Sequence, residues 1–349
     1  MEKFRIGLTR DFLSEQGELV YKEMGLNLLN EVPDIEYEFM EKLSPVIMPD
    51  QIKDYDGVIS LKPKYTPESF EGVERLTAIG RFGVGYEMVD TDACTDADIM
   101  LFITPGGVRR PVAGGVVTLM LALCRKLFIK DNLVRTGRWD DKIFHMGTEL
   151  RDRVLGSVGL GNIGSEVFRL IKPFGMSRFI AFDPYAKKEH ADALGVELVD
   201  LDTVMSESDF VTINCPLTPD TYHLIGAREI GLMKPTAYFI NTARGGIVDQ
   251  KALTEALQNK RIQGAGLDVL EEEPVRDDDP ILELTNVILC PHAICWTDEC
   301  FRDNGILDCK GMIKVMRGEV PDAVVNKEVL AKEGMKAKLA RYREKWGSS

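Results

Sequence analysis

The sequence predicts an α/β protein of two Rossmann-like, doubly wound parallel-sheet domains, and three observations carry the prediction. An apolar run from Val154 enters a Gly-x-Gly-x-x-Gly turn at Gly159, Gly161 and Gly164, and a helical segment, Ser165 to Lys172, follows. A second apolar run, Arg178 to Phe182, then delivers an acid, Asp183. Finally, this turn does not open the chain. About 150 residues precede it, with their own alternation of strand and helix patterns.

In that leading part the strand candidates are Phe4 to Leu8, Gly57 to Leu61, Leu76 to Gly80 and Ile99 to Ile103, with a helix expected over Glu18 to Leu29. Pro105-Gly-Gly107 reads as a break after the last strand. Pro111 to Phe128 reads as a buried helix crossing between domains. It is too short, and too interrupted by Arg109, Arg110, Arg125 and Lys126, for a membrane span. Lys130 to Arg153 is polar and turn-rich, with Trp139 as its expected anchor. A chain of 349 residues has room for two cores. Lys332 to Lys345, mostly cationic, reads as a solvated helix or frayed tail.

The glycine turn is the form a dinucleotide site takes. Glycines let the backbone turn tightly and approach a pyrophosphate, whose charge rests at the positive N-terminus of the following helix. An acid about 20 residues later accepts hydrogen bonds from ribose hydroxyls. Asp183 would repel a 2′-phosphate, and Pro184 and Tyr185 offer no cation, so NAD is expected rather than NADP.

Composition excludes more than it assigns. A net charge of -13 argues against a nucleic-acid surface. No charged segment with an apolar core opens the chain, so no signal peptide is expected. Seven scattered cysteines fit reduced thiols in the cytoplasm rather than a disulfide framework. The four histidines show no metal-ligand spacing, and no metal is expected.

Three segments beyond the fingerprint carry chemistry, each at a strand end. Ala237 to Asn241 leads to Arg244 in a glycine-rich turn, where a planar guanidinium can grip a carboxylate through two parallel hydrogen bonds. Gly264 to Asp268 leads to Glu273, whose backbone Pro274 restricts. Asn286 to Pro291 leads directly to His292. Hydride transfer at a hydroxyl-bearing carbon needs a carboxylate anchor, a group that moves the hydroxyl proton, and an acid that favours the protonated imidazole. Arg244, His292 and Glu273 have those properties.

With these segments the chain resembles the D-isomer specific 2-hydroxyacid dehydrogenase family from about residue 55 to residue 322. Besides the fingerprint the resemblance rests on Arg81 to Tyr86 with Val89-Asp90, Arg135 to Trp139, Cys215 to Thr221, and Asn241 to Asp249. Gly266 to Val269, Glu273-Pro274, and Pro291-His292 with Thr297 complete it. It implies interconversion of a D-2-hydroxy acid and its 2-keto acid, with Arg244 as anchor, His292 as acid/base and Glu273 as its partner. It implies substrate contacts at Arg81, Val84, Gly85 and Arg244; Trp296, where the chain departs from the family, is either a further wall of the substrate pocket or a residue packed under the hinge. Cofactor contacts are implied at Gly159, Gly161, Asn162, Ile163, Gly164, Asp183, Cys215, Pro216, Thr221, Thr242, Ala243 and Asp268. The family insertion pattern places a substrate domain at 1–104 and 299–349 and an NAD-binding Rossmann domain at 105–298. A homodimer, formed through the cofactor domain, is implied as well.

Departures from the family pattern bear on the substrate. Glu87 stands where members often have Asp, Ala113-Gly114 where they carry Ala-Glu, and the bulky Ala293 to Trp296 where they favour small turns. Arg81 resembles the arginine that helps hold the substrate phosphate in phosphoglycerate dehydrogenases, and Lys62 and Lys64, just past a strand end, are candidates to assist it. Glu273, rather than glutamine, argues against a formate-type enzyme. The alternative is an NAD(H)-sensing, corepressor-like binding protein on the same fold.

Overall fold

The structure, a computed structural model, describes residues 2–347. The chain divides into two compact units, Met1–Val108 with Trp296–Ser349, and Arg109–Cys295. Among the described residues twelve strands carry them: β1 Phe4–Leu8, β2 Ile35–Phe39, β3 Gly57–Ser60, β4 Ala78–Arg81, β5 Met100–Ile103, β6 Val154–Val158, β7 Arg178–Phe182, β8 Glu197–Leu198, β9 Phe210–Ile213, β10 Tyr238–Asn241, β11 Gly264–Leu267 and β12 Val287–Leu289. All pairings between them are parallel.

The first unit holds a five-stranded sheet in the order β2-β1-β3-β4-β5. Parallel strands covered on both faces are apolar throughout, and β3 is buried at all four positions. Edge strand β2 alternates instead, Ile35 buried and Glu36 and Glu38 exposed. One face packs Val58, Ile79 and Leu101 with Ile52, Phe70 and Cys94. The other packs Phe4, Ile59 and Phe102 under Phe301, Met312, Val315, Tyr342 and Trp346 of helices Asp298–Met316 and Glu333–Trp346.

The second unit holds seven strands in the order β12-β11-β10-β9-β6-β7-β8. The order reverses between β6 and β9. A crevice opens at such a switch point, beyond the carboxyl ends of the strands, because successive connections leave toward opposite faces. Successive residues of β10 serve different cores: Tyr238 and Ile240 join Leu155 and Phe168, while Phe239 joins Val211 and Ala265.

Several expectations need correction. Of Glu18 to Leu29 only Asn27–Asn30 is helical, since Gly25 adopts φ 67° inside the run. Strand β2 escaped notice because its alternating glutamates mask a short apolar face. The apolar helix begins at Pro105 and ends at Cys124, so Pro105-Gly-Gly107 is its first turn, where a proline costs no hydrogen bond. Arg125 and Lys126 fall outside it, and by length and composition it is apolar enough to cross a membrane. Its residues Val116, Leu119, Met120 and Leu123 are nevertheless buried against Leu155 and Phe168, as in a core helix. Trp139 is 61% exposed and anchors nothing in the core. The C-terminal helix is docked rather than frayed: Trp346 packs edge-on to Phe4 at 5.8 Å, and Tyr342 donates a 2.8 Å hydrogen bond to buried Asp56. Truncating Trp346 to alanine is worth about 3–5 kcal/mol.

Candidate active site

The glycine turn follows β6, and each glycine has its own reason. Gly159 adopts φ 100°, and a Cβ there would lie 2.6 Å from the Asn214 carbonyl oxygen at the end of β9. Around Gly161 a Cβ would meet nothing within 4 Å, which leaves the backbone open to a ligand. At Gly164 a Cβ would come 2.5 Å from the Gly159 oxygen, so the helix Asn162–Ile171 seats closely on the turn. Asn162 and Ile163 form its first turn. This division of labour fits a pyrophosphate cradle.

Asp183, at the end of β7, ties the edge together. Its Oδ2 accepts the Leu160 N–H at 2.8 Å, and its Oδ1 accepts those of Tyr185 and Ala186 at 2.9 and 3.1 Å. Beyond β9, Thr221 donates to the Pro216 carbonyl at 2.7 Å and accepts the Thr218 N–H at 2.7 Å. Burial pushes the neighbouring Cys215 thiol up to about 11, so it stays protonated. Beyond β10, the buried Thr242 Oγ1 has no hydrogen-bond partner among the described residues, a group left for something else to satisfy. The residues present fit a dinucleotide.

Histidine and glutamate meet at the ends of β11 and β12. Asp268 ends β11, and its carbonyl accepts the His292 N–H at 2.8 Å. Its carboxylate Oδ1 accepts the N–H groups of Ala293 and Ile294, both at 2.9 Å. Burial lifts the Asp268 pKa, and these two bonds oppose the lift. The turn so clamped holds His292 at φ 53°, a left-handed conformation uncommon outside glycine. From there His292 Nδ1 lies 2.7 Å from Glu273 Oε2, while Glu273 Oε1 accepts the Leu270 N–H at 2.9 Å. With Nδ1–H donating to the carboxylate, Nε2 is the nitrogen left for chemistry.

The charges agree with that geometry. The hydrogen bond to Glu273 raises the His292 pKa; partial burial and the charge of Arg244 pull the other way. Burial pushes Glu273 up, but the bonds from His292 and Leu270 and the charges of His292 and Arg244 leave it below the usual range. The pair is therefore an imidazolium held by a carboxylate over a wider pH range than a free histidine allows.

Arg244 follows β10. Asn241 Nδ2 donates to its carbonyl at 3.0 Å, and Asn241 Oδ1 accepts the Ala243 N–H at 3.0 Å. Gly245 abuts the Leu270 carbonyl with no room for a side chain, which presses this turn onto the loop leading to Glu273. Asn241 and the clamping role of Asp268 went unread in the sequence, and their strand-end positions were the available signal.

Arg81, Val84, Gly85 and Trp296 belong to the first unit. Val84 and Gly85 lie half-buried after β4. Trp296 is 43% exposed, meets Tyr21 and Phe301 edge-on at 5.9 and 5.1 Å, and carries the Lys62 ammonium 5.3 Å from its ring.

Known proteins share this design. The model of the NAD binding domain of D-isomer specific 2-hydroxyacid dehydrogenases matches residues 117–293. A D-3-phosphoglycerate dehydrogenase of Methanocaldococcus jannaschii is 40% identical over 322 residues, 92% of this chain but 60% of that protein. A glyoxylate reductase of Korarchaeum cryptofilum is 38% identical over 291 residues, 82% of this chain and 87% of that one. The apo-structure of D-lactate dehydrogenase from Escherichia coli superposes with a TM-score of 0.77 at 27% identity, covering 92% of this chain and 99% of that one. The cradle at the switch point, the arginine, glutamate and histidine at successive strand ends, and these matches agree: the chain belongs to the D-isomer specific 2-hydroxyacid dehydrogenase family, with NAD as its cofactor.

Proposed function

We propose that the chain interconverts a small 2-keto acid and the D-2-hydroxy acid, with His292 as acid/base, Glu273 as its partner and Arg244 as carboxylate anchor. The observation that carries this reading is the 2.7 Å contact of His292 Nδ1 with Glu273 Oε2, with the Arg244 charge acting on both. NADH, when bound, supplies the hydride. Arg244 holds the keto-acid carboxylate with its planar fork. His292 delivers the Nε2 proton to the carbonyl oxygen as charge builds there, and Glu273 keeps the imidazole protonated until then. In the oxidation direction the neutral imidazole takes the proton back. The similar curated proteins are a D-3-phosphoglycerate dehydrogenase and glyoxylate reductases, and the corepressor alternative is not favoured.

The loop Arg81–Gly85 offers the amides of Val84 and Gly85 to carboxylate oxygens. Arg81 and Lys62 favour a polar or anionic group at the substrate's far end. Assays with NADH of glyoxylate, hydroxypyruvate, phosphohydroxypyruvate, pyruvate and larger 2-keto acids test the reading. It predicts turnover of at least one of the hydroxylated or phosphorylated acids at higher kcat/KM than pyruvate, and inertness toward all of them would overturn it.

The working form is a homodimer in the cytoplasm. Phe128, Trp139, Ile143, Phe144 and Met146 are 61–75% exposed on one short stretch of the second unit, an apolar surface that a second copy would cover. Seven cysteines scattered along the chain, rather than spaced as a disulfide framework, fit a reducing compartment.

A further inference from the structure

Helix Asp298–Met316 carries two polar residues one turn apart, Asn304 and Asp308, which share a face. Both are buried, Asp308 completely. A carboxyl group in such a place is expensive, and a leucine would pack there at lower cost. Asp308 Oδ1 lies 2.6 Å from where a Gly80 Cβ would stand, so it is pressed against the end of β4. Neither of its oxygens has a hydrogen-bond partner among the described residues. The charge that acts on it is Arg81, the next residue of the strand; burial meanwhile pushes its carboxyl well above the ordinary range.

Asn304 reaches the same loop by another route. Its Oδ1 accepts from Thr104 Oγ1 at 2.6 Å. Thr104 Oγ1 in turn accepts the Gly83 N–H at 2.8 Å, and the Thr104 N–H donates to the Gly83 carbonyl at 2.8 Å. Gly83 is thus held at both ends by a residue whose hydroxyl is oriented by Asn304. Arg81 folds back along the loop so closely that its Nη1 occupies the space of a Gly83 Cβ. Asn304 and Thr104 join helix and loop through polar atoms in an otherwise apolar core, and Asp308 lies against the strand end.

We propose that Asn304 and Asp308 are positioning residues for the substrate loop Arg81–Gly85. Asn304 sets the Gly83 peptide through Thr104, and with it the direction of the Val84 and Gly85 amides. Asp308, pressed against Gly80, sets the end of β4 from which Arg81 departs, and with it the recognition of the substrate's far end. The inference rests on the reading that this loop holds substrate, and the experiment separates the two.

Arg81→Ala, Asp308→Asn and the double variant are compared for keto-acid KM, kcat and NADH Kd. Arg81→Ala is expected to raise the keto-acid KM at least tenfold. Asp308→Asn keeps the shape but replaces the acid by an amide, and is expected to raise it about five- to tenfold with NADH Kd unchanged. In the Arg81→Ala background the Asp308 change should add less than twofold, the signature of two residues acting as one. An unchanged KM in Arg81→Ala would remove the substrate-loop reading itself. A raised KM there, with Asp308→Asn silent or simply multiplicative, would leave that reading standing and overturn the positioning role. If the Asp308 variant does not fold, Thr104→Val against Thr104→Ser decides for the network. Valine should raise KM while serine, which keeps the hydroxyl, restores it; equal KM values in both would overturn the proposal.

Discussion

His292 Nδ1 and Glu273 Oε2 lie 2.7 Å apart although 19 positions separate them in the chain. Each ends a loop that follows its own parallel strand, and β11 and β12 are neighbours in register from Ala265 to Leu267 and Val287 to Leu289. The sheet converts sequence distance into contact, and the positive φ of His292 turns its ring toward the acid.

That contact sets a pH dependence. Reduction needs the imidazolium, whose pKa Glu273 raises, so activity should persist to higher pH than a free histidine permits and fall as pH rises through the raised value. Glu273→Gln removes the charge, and the alkaline limb of the kcat/KM profile should move to lower pH. His292→Ala should lower kcat by roughly 10²–10⁴ while NADH still binds. An unmoved alkaline limb in Glu273→Gln would count against the pairing.

Arg244→Lys keeps the charge and loses the fork. Keto-acid KM should rise and kcat fall, with NADH Kd little changed. Steady-state kinetics and a fluorescence titration of NADH read both. Intact keto-acid kinetics would place the anchor elsewhere.

Asp183, at the end of β7, accepts hydrogen bonds from three backbone N–H groups, which hold its side chain in place. NADH should be preferred over NADPH by more than tenfold, since a like-charge contact costs more than about 1.4 kcal/mol. Comparable kcat/KM for the two cofactors would refute this role.

The exposed stretch from Phe128 to Met146 predicts that association depends on apolar contact. Replacing Ile143 and Phe144 together by aspartate should convert a dimer to a monomer in light scattering, with little change in the thermal midpoint of the isolated fold. A wild-type monomer at micromolar concentration would dismiss the surface as an interface.

Much of this was legible in the residues. β1 and β10 stand out because strands buried on both faces are apolar runs, and the glycine turn because no other residue tolerates its close approaches. Arg244, Glu273 and His292 were readable as chemistry, each following such a strand. Local pattern misled where packing overrode it. Glu18 to Leu29 has helical spacing that the positive φ of Gly25 interrupts, and the C-terminal helix looks solvated until Tyr342 and Trp346 find Phe4.

The sequence by itself determined the elements and the chemical groups, because periodicity and residue type are local properties of a chain. Only the tertiary structure decided which groups meet. Nothing local says that Asp268 clamps the turn of His292, that Asn241 holds Arg244, or that Asp308 lies against Gly80 more than 200 positions earlier. Those relations follow from strand order and from a helix returning across a sheet. Side chains that close such long loops can be recognised only once the core has brought the backbones within a few ångströms.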